Sequence, residues 1–294
     1  MIDGATRLVG LIGWPVDQSV SPAMHNAAFD TLGLNWRYVP LPVIPEEGAT
    51  SIRGLAVLGF AGANVTVPHK RLVMDTLDVV TSDAEAIGAV NTIVIERGDP
   101  TAVTHGHNTD WIGFTDSLRR AGFDPSGETA VVVGAGGSAR AVVFGLLHAG
   151  ADRVHVLSRR LEEAECLAAD LLENESDRTR ICPGLLSDEL LIERTRAAAL
   201  LVHTTPVGMW PNTAASIWPE PVSLPADIFV YDLVYIPRRT RLLEQADRSG
   251  AASLGGLDML VGQGARAFVL WTGVDAPIEV MREACDCELR RRSG

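Results

Sequence analysis

Thr129-Ala130-Val131-Val132-Val133-Gly134-Ala135-Gly136-Gly137-Ser138-Ala139-Arg140 carries the clearest fold signal in the chain. Ala130 to Val133 are small or β-branched apolar residues, as in a strand buried on both faces, and Gly134 to Ala139 match G-x-G-x-x-A where that strand would turn into a helix. Gly134 permits the tight turn, Gly136 lets a pyrophosphate approach the backbone, and Ala139 lets helix and strand pack closely. The unpaired N–H groups of the helix start then receive the phosphates. This context predicts a Rossmann-type dinucleotide site; a glycine turn that merely joins strand to helix is the alternative.

The 294 residues, with 47% apolar content, suffice for two domains, each with its own core. No run approaches the ~18 apolar residues of a spanning helix. Met1-Ile2-Asp3-Gly4 lacks the basic start and apolar core of a signal peptide, so a cytoplasmic protein is expected. Cys166, Cys182, Cys285 and Cys287 follow neither zinc-site nor disulfide spacing and read as reduced thiols. A formal charge of -12 repels nucleic acid and acidic membranes, so anionic ligands must be held by local groups. Arg290-Arg291-Arg292 reads as a solvated helix terminus. The histidines have no ligand spacing beyond His105 and His107, which strand alternation explains, and no metal is expected. Of the 25 basic residues only one, Lys70, is a lysine.

Strand and helix patterns alternate before the glycine turn. Strands are expected over 8–12, 36–40 and 63–67, with helices over 21–32, where Ser21 caps and Pro22 opens the helix, from about 45, and over 69–87. Residues 91–96 and 101–107 bracket Arg97-Gly98-Asp99-Pro100 as a hairpin, giving an α/β domain whose mostly parallel sheet has an antiparallel edge. A helix over 110–121, with Trp111, Phe114 and Leu118 on one stripe, leads into the glycine turn. Beyond it come strands over 154–157, 198–202 and 229–233 and a helix over 161–172. Leu254-Gly255-Gly256-Leu257 opens a helix to about 271, and a last helix covers 276–291.

Polar residues gather where strands end, which is where open α/β sheets bind ligands. Asn64, Thr66 and Lys70 lie near the carboxyl end of the third strand, Asn91 lies in Gly88-Ala89-Val90-Asn91-Thr92, and Asp110 closes His107-Asn108-Thr109-Asp110. Taken singly, these also read as turn residues, a helix cap and a surface charge.

Eight motifs in order resemble the shikimate dehydrogenase family along nearly the whole chain. They are Ser19-Val20-Ser21-Pro22, Asn64 to Lys70, Gly88 to Thr92, Asn108-Thr109-Asp110, the Gly134 turn, Thr205-Pro206-Val207-Gly208-Met209, Tyr231-Asp232 with Tyr235, and Gly256 to Gln263. The resemblance implies reversible NADP-linked reduction of 3-dehydroshikimate to shikimate, on the route to aromatic amino acids. It implies a substrate domain of residues 1–109 and 256–294, with an inserted Rossmann domain of residues 110–255, so that the last helices return to the first domain and substrate lies in the cleft between the two.

By the same resemblance Lys70 and Asp110 form the catalytic pair. Ser19, Ser21 and Tyr235 take the substrate carboxylate, and Asn64, Thr66, Asn91, Asp110 and Gln263 lie along the substrate ring. The cofactor is expected against Gly134, Ala135, Gly136, Gly137, Ser138 and Ala139, against Ser158, Arg159 and Arg160, against Thr204, Pro206, Val207, Gly208 and Met209, and against Leu233 and Gly256. Small molecules are the only partners implied, for a monomer or homodimer. The residue chemistry agrees, because a desolvated lysine can give up a proton and an arginine effectively cannot.

Two positions depart from the family pattern. Ser158-Arg159-Arg160-Leu161-Glu162-Glu163 lacks the further basic residue usual after the second nucleotide-domain strand, and Trp111 stands where a glycine is common. They keep open quinate or an amino analogue as substrate, and an NAD-dependent quinate/shikimate dehydrogenase as a second reading. A third is an inactive, NADP-binding regulatory protein of the same fold.

Overall fold

The computed structural model describes residues 2–98, 101–172 and 180–293. The chain forms two compact units, one of Met1–Asp110 with Val261–Gly294 and one of Trp111–Leu260. Among the described residues no helix is long and apolar enough to cross a membrane.

The first unit holds β1 (Arg7–Gly13), α1 (Ser21–Thr31), β2 (Trp36–Pro42), α2 (Gly48–Val57), β3 (Gly62–Val65), β4 (Val79–Val80), α3 (Ser82–Ile87), β5 (Thr92–Glu96) and β6 (Val103–His107). The chain then forms α4 (Asp110–Arg120). The strands make one sheet in the order β2-β1-β3-β5-β6-β4. β5 is antiparallel to both β3 and β6, and the remaining pairings are parallel. The expected antiparallel edge is therefore an interior strand, because β4 adds to the far side of β6. Ile12, Ala63, Val65, Val90, Ile93 and Ile95 pack with Ile52 and Leu55 in its core.

Two local expectations for this unit fail. The helix expected over 69–87 breaks into turns, a short 3-10 turn at Met74–Thr76, then β4 and α3. Val79, Val80 and Thr81 are β-branched and favour extended backbone, and the Asp78 carboxylate fastens them to the sheet by accepting the Thr104 N–H and hydroxyl, both at 2.8 Å. Helix α1 is capped at Val20 with no side-chain bond, so Ser21 is already helical. The expected Asp99-Pro100 turn lies outside the described residues.

The second unit contains β7 (Thr129–Val133), α5 (Gly137–His148), β8 (Arg153–Ser158), α6 (Leu161–Leu171), β9 (Ile181–Leu185), α7 (Asp188–Arg196), β10 (Leu200–His203), β11 (Phe229–Asp232), α8 (Arg241–Ser249) and β12 (Ala252–Gly255). The sheet is fully parallel in the order β12-β11-β10-β7-β8-β9. Ala130 and Val132 enter one core, whereas Val131 and Val133 enter another. Both faces are therefore covered, which is why the strand is continuously apolar rather than alternating. The last helices are α9 (Leu257–Thr272) and α10 (Ile278–Ser293).

Four elements of this unit escape the periodicity. Pro183 and Gly184 disguise β9, which tolerates them because it is an edge strand paired only with β8. Helices α7 and α8 are short and polar, although each has a readable cap: Ser187 accepts the Leu190 N–H at 3.2 Å and Thr240 the Leu243 N–H at 3.3 Å. Leu254-Gly255, expected to open a helix, instead ends β12, and α9 starts after Gly256.

In α1 the imidazole of His25 is buried, stacked on Tyr38 at 4.5 Å, and neither ring nitrogen has a hydrogen-bond partner among the described residues. Burial holds its pKa down to about 3 from the usual 6.5. Unfolding therefore takes up a proton between those values, so His25 leaves stability intact above pH ~6.5 and erodes it as pH falls, by up to ~1.4 kcal/mol per pH unit. Thermal unfolding across pH 7 to 5 should lose part of its pH dependence in His25→Phe; an identical slope in both proteins refutes the assignment.

Candidate functional site

In the first unit, chain direction decides which residues meet. Strands β1, β3 and β6 are mutually parallel, so the segments that follow them, from Trp14, from Thr66 and from Asn108, leave one edge of the sheet. Because β5 runs the other way, its start lies at that same edge, with Asn64 opposite Thr92 and Thr92 opposite His107. Asn91, just before β5, joins the group for that reason.

Asp110 is the centre of this cluster. Its Oδ2 accepts Lys70 Nζ at 2.6 Å, and its Oδ1 accepts Asn91 Nδ2 at 2.8 Å. The Lys70 and Asp110 side chains are only 12% and 6% exposed. The Asp110 N–H is donated to Asn108 Oδ1 at 3.0 Å, and Asn108 Nδ2 to the Ala89 carbonyl at 2.9 Å. Asn91 Nδ2 also faces Thr109 Oγ1 at 2.9 Å and Gln263 Oε1 at 3.3 Å, while Asn91 Oδ1 accepts the Thr109 N–H at 2.7 Å.

Asn64 is engaged within the protein on both sides. Its Nδ2 is donated to Thr92 Oγ1 at 3.0 Å and to the Asn91 carbonyl at 3.2 Å, and its Oδ1 accepts the Tyr38 hydroxyl at 2.9 Å. The structure thus unites Asn64, Lys70, Asn91, Asp110 and Gln263 in one network. Ser19 accepts the Ser21 N–H at 3.2 Å in the segment after β1, and Thr66 follows β3. Tyr235 belongs to the other unit.

Tyr38, Thr92 and Thr109 also carry this network; the two threonines stand in the quoted motifs without an assigned role, and Tyr38 stands in none. Tyr38 reads only as an inward strand residue. Arg290, Arg291 and Arg292 are exposed in the last turn of α10, as the solvated-terminus reading expects, and Arg292 does more: held by Glu288 at 2.7 Å, it donates to the carbonyls of Asp17 and Ser19 at 3.4 and 3.2 Å and so braces the Ser19 segment. Arg291 and Arg292 also hold the Glu288 carboxyl down to about 2. Among the described residues no group of three or more His, Cys, Asp or Glu side chains is arranged to hold a metal.

In the second unit every residue expected at the cofactor lies at the carboxyl end of a strand of one parallel sheet. Gly134 to Ala139 follow β7, Arg159 and Arg160 follow β8 (which ends on Ser158), Thr204 and Pro206 to Met209 follow β10, Leu233 follows β11, and Gly256 follows β12. The strand order reverses between β7 and β10, where such sheets bind ligands. Gly134 has φ +120°, and a Cβ there would strike the Thr204 side chain. A Cβ on Gly136 would meet nothing within 4 Å, and α5 begins with no side-chain cap at Gly136, an end that favours an anionic ligand.

Arg159 is exposed and has no side-chain partner among the described residues, whereas Arg160 is paired with Glu163. Open space at Gly136, an uncapped helix start and an uncommitted arginine fit a phosphorylated dinucleotide. Trp111 packs its ring against Phe144 and His148 at 5.4 and 4.9 Å.

A doubly wound dinucleotide unit, joined in one chain to an α/β unit bearing a buried lysine–aspartate pair, defines a nicotinamide-dependent dehydrogenase. The descriptions "Shikimate dehydrogenase substrate binding domain" and "Shikimate 5'-dehydrogenase C-terminal domain" match residues 11–93 and 256–285. The chain is 50% identical over 285 residues to the shikimate dehydrogenase (NADP(+)) of Methanopyrus kandleri, covering 96% of both chains. A crystal structure of a shikimate dehydrogenase in complex with NADP+ superposes with a TM-score of 0.87 at 40% identity, over 98% of each chain. Quinate dehydrogenase from Corynebacterium glutamicum in complex with NAD gives a TM-score of 0.84 at 32% identity, over 95% of this chain and 98% of that one. The chain belongs to the shikimate dehydrogenase family.

Asn91 is 2% exposed and its side-chain amide bonds to four residues, Thr92, Thr109, Asp110 and Gln263, so removing it leaves buried groups unpaired. Asn91→Ala should lower the unfolding free energy by about 1–3 kcal/mol in urea denaturation; an unchanged midpoint and slope would contradict the network.

Proposed function

We propose that the chain catalyses the reversible NADPH-dependent reduction of 3-dehydroshikimate to shikimate, toward chorismate and the aromatic amino acids. The 2.6 Å Lys70–Asp110 pair carries this reading, since it joins a titratable donor to a fixed carboxylate in a largely desolvated setting. The full-length similarity to NADP(+)-dependent shikimate dehydrogenases supports it.

When bound, NADPH supplies the hydride to the substrate carbonyl carbon. The chain moves the proton: Lys70 Nζ gives it to the carbonyl oxygen as that oxygen becomes a hydroxyl, and takes it back in the reverse direction. Asp110 holds Lys70 in line and accepts a hydrogen bond from the substrate hydroxyl. Ser19 and Ser21, with Tyr235, take the substrate carboxylate, while Thr66, Asn91 and Gln263 take ring hydroxyls. Asn64 acts by holding Asn91 and Thr92, since its own amide is committed to protein partners. The start of α5 receives the pyrophosphate and Arg159 the 2′-phosphate, with Ser158 and Arg160 beside it. Thr204, the Pro206 to Met209 segment, Leu233 and Gly256 complete the nicotinamide side.

The reading extends to a cytoplasmic enzyme, monomeric or homodimeric, acting on small molecules alone. Four free cysteines suit a reducing compartment. A second reading, quinate or shikimate oxidation with NAD, is favoured by one observation: Glu163 engages Arg160, leaving a single arginine for a 2′-phosphate. A spectrophotometric matrix of shikimate and quinate, each with NADP+ and NAD+, separates the readings. Turnover of quinate but not shikimate would overturn the proposed substrate, and cofactor binding without any turnover would favour the regulatory alternative.

Loss of a charge-assisted bond to the 2′-phosphate costs ~1.5–3 kcal/mol, roughly ten- to hundredfold. Arg159→Ala should raise the KM for NADP+ by that factor and barely change that for NAD+; equal effects on both cofactors would show that Arg159 does not read the phosphate. General acid–base assistance is worth ~10²–10⁴ in rate. Lys70→Met should lose that much in kcat, with Lys70→Arg nearly as poor because arginine does not release its proton. Damage confined to KM would make Lys70 a binding residue only. As the single lysine, Lys70 is also the one side-chain target for an amine-selective reagent, and labelling should abolish activity unless shikimate and NADP+ protect it.

A further inference from the structure

At the carboxyl ends of β10 and β11, His203 and Asp232 stand opposite each other in register, and their side chains meet. His203 Nδ1 lies 2.9 Å from Asp232 Oδ1, and His203 Nε2 lies 2.5 Å from Thr205 Oγ1. The imidazole is 1% exposed and the carboxylate is fully buried. Asp232 Oδ1 also accepts the Val234 N–H at 3.0 Å, and Oδ2 accepts the Thr240 hydroxyl at 2.5 Å. A carboxylate only accepts hydrogen bonds, so Nδ1 must carry a proton. Nε2 and the Thr205 hydroxyl then share the second hydrogen bond of the ring.

Thr205 sits where the dinucleotide turn needs a wall. A Cβ added at Gly134 would meet Thr205 Cγ2 at 3.1 Å, next to its encounter with Thr204, so the segment after β10 lies across the first glycine of the turn. Thr204 fastens one side of that segment, donating both its N–H and its hydroxyl to the Val133 carbonyl, at 3.0 and 2.8 Å. Thr205 fastens the other through His203, and its oxygen accepts the Val207 N–H at 3.3 Å. The hydroxyl–imidazole–carboxylate order also serves nucleophilic catalysis in other proteins. Here the hydroxyl oxygen is already tied to the backbone of its own loop, which makes it a fastener.

We propose that His203 is a positioning residue: anchored by Asp232, it holds the Thr205 hydroxyl, and with it the Thr204 to Met209 loop, in the arrangement that receives the dinucleotide at the Gly134 turn. This inference rests on the NADP site proposed above. A buried carboxylate with three donors is a fixed anchor, and an imidazole bonded at both nitrogens cannot rotate. The loop is therefore ordered during folding, and less of that cost falls on binding.

Two measurements need no turnover: calorimetric titration with NADP+, and hydrogen exchange of the loop amides in the ligand-free protein. Thr205→Val keeps the shape and removes only the hydroxyl. It should raise the NADP+ dissociation constant about three- to tenfold and speed loop exchange, leaving the KM for shikimate nearly unchanged. His203→Leu should do the same, and the double variant should be no worse than the worse single one, because both changes break the same chain. His203→Asn offers a donor to Asp232 and an acceptor on its other side, and should recover part of the loss.

Additive effects in the double variant, or unaltered NADP+ binding and loop exchange in Thr205→Val, would overturn the assignment. If the unaltered protein fails to bind NADP+, the functional reading fails; loop exchange alone then decides the positioning role, faster exchange in both single variants supporting it and unchanged exchange refuting it.

Discussion

The contact between Lys70 and Asp110 is the constraint on which the first unit turns. Withdrawing an ammonium and a carboxylate from water costs several kcal/mol, and their mutual attraction offsets this only when the remaining polar atoms are also satisfied. The surroundings meet that condition: Asn91 bonds the second carboxylate oxygen and Asn108 accepts the backbone N–H of Asp110. Each asparagine is in turn fixed by strands or turns at the same sheet edge. A lysine held in this way has its Nζ beside an acceptor that cannot swing away.

The second unit solves a different electrostatic problem. A protein with a formal charge of -12 has to hold a polyanionic cofactor, so attraction must be local. A parallel sheet supplies it by topology, because all its carboxyl ends lie on one edge and the helix after β7 starts there with the positive end of its dipole. Glycines keep that edge clear. Gly134 yields to Thr204, and a Cβ on Gly256 would collide with the Leu233 carbonyl, which brings the ends of β11 and β12 together. Arg159 remains available because Glu163 engages its neighbour, Arg160, instead.

Much of this was legible in the chain because it is written in local chemistry. Four apolar residues before G-A-G-G-S-A specify strand, turn and helix within a dozen positions; Asn64 lies near the end of a strand, and Lys70, Asn91 and Asp110 lie shortly after or just before one. Strand β9 was not legible, since Pro183 and Gly184 argue against a strand unless its edge position is already known. Neither was the break at Asp78, where a bond to Thr104, distant in sequence, outweighs the helical propensity of the residues before it.

By itself, then, the sequence determined the dinucleotide turn, the alternation of strands and helices, and the single lysine, because turn geometry, periodicity and residue type are properties of neighbouring positions. Tertiary structure decided that β5 runs backwards in the interior of its sheet, and so that Asn91 meets Asp110. It also decided that Tyr38 supports Asn64, that Arg292 braces the Ser19 segment, and that His203 stands between Asp232 and Thr205. These pairings join residues that strand order and direction bring together, and no local pattern records which strand will lie beside which.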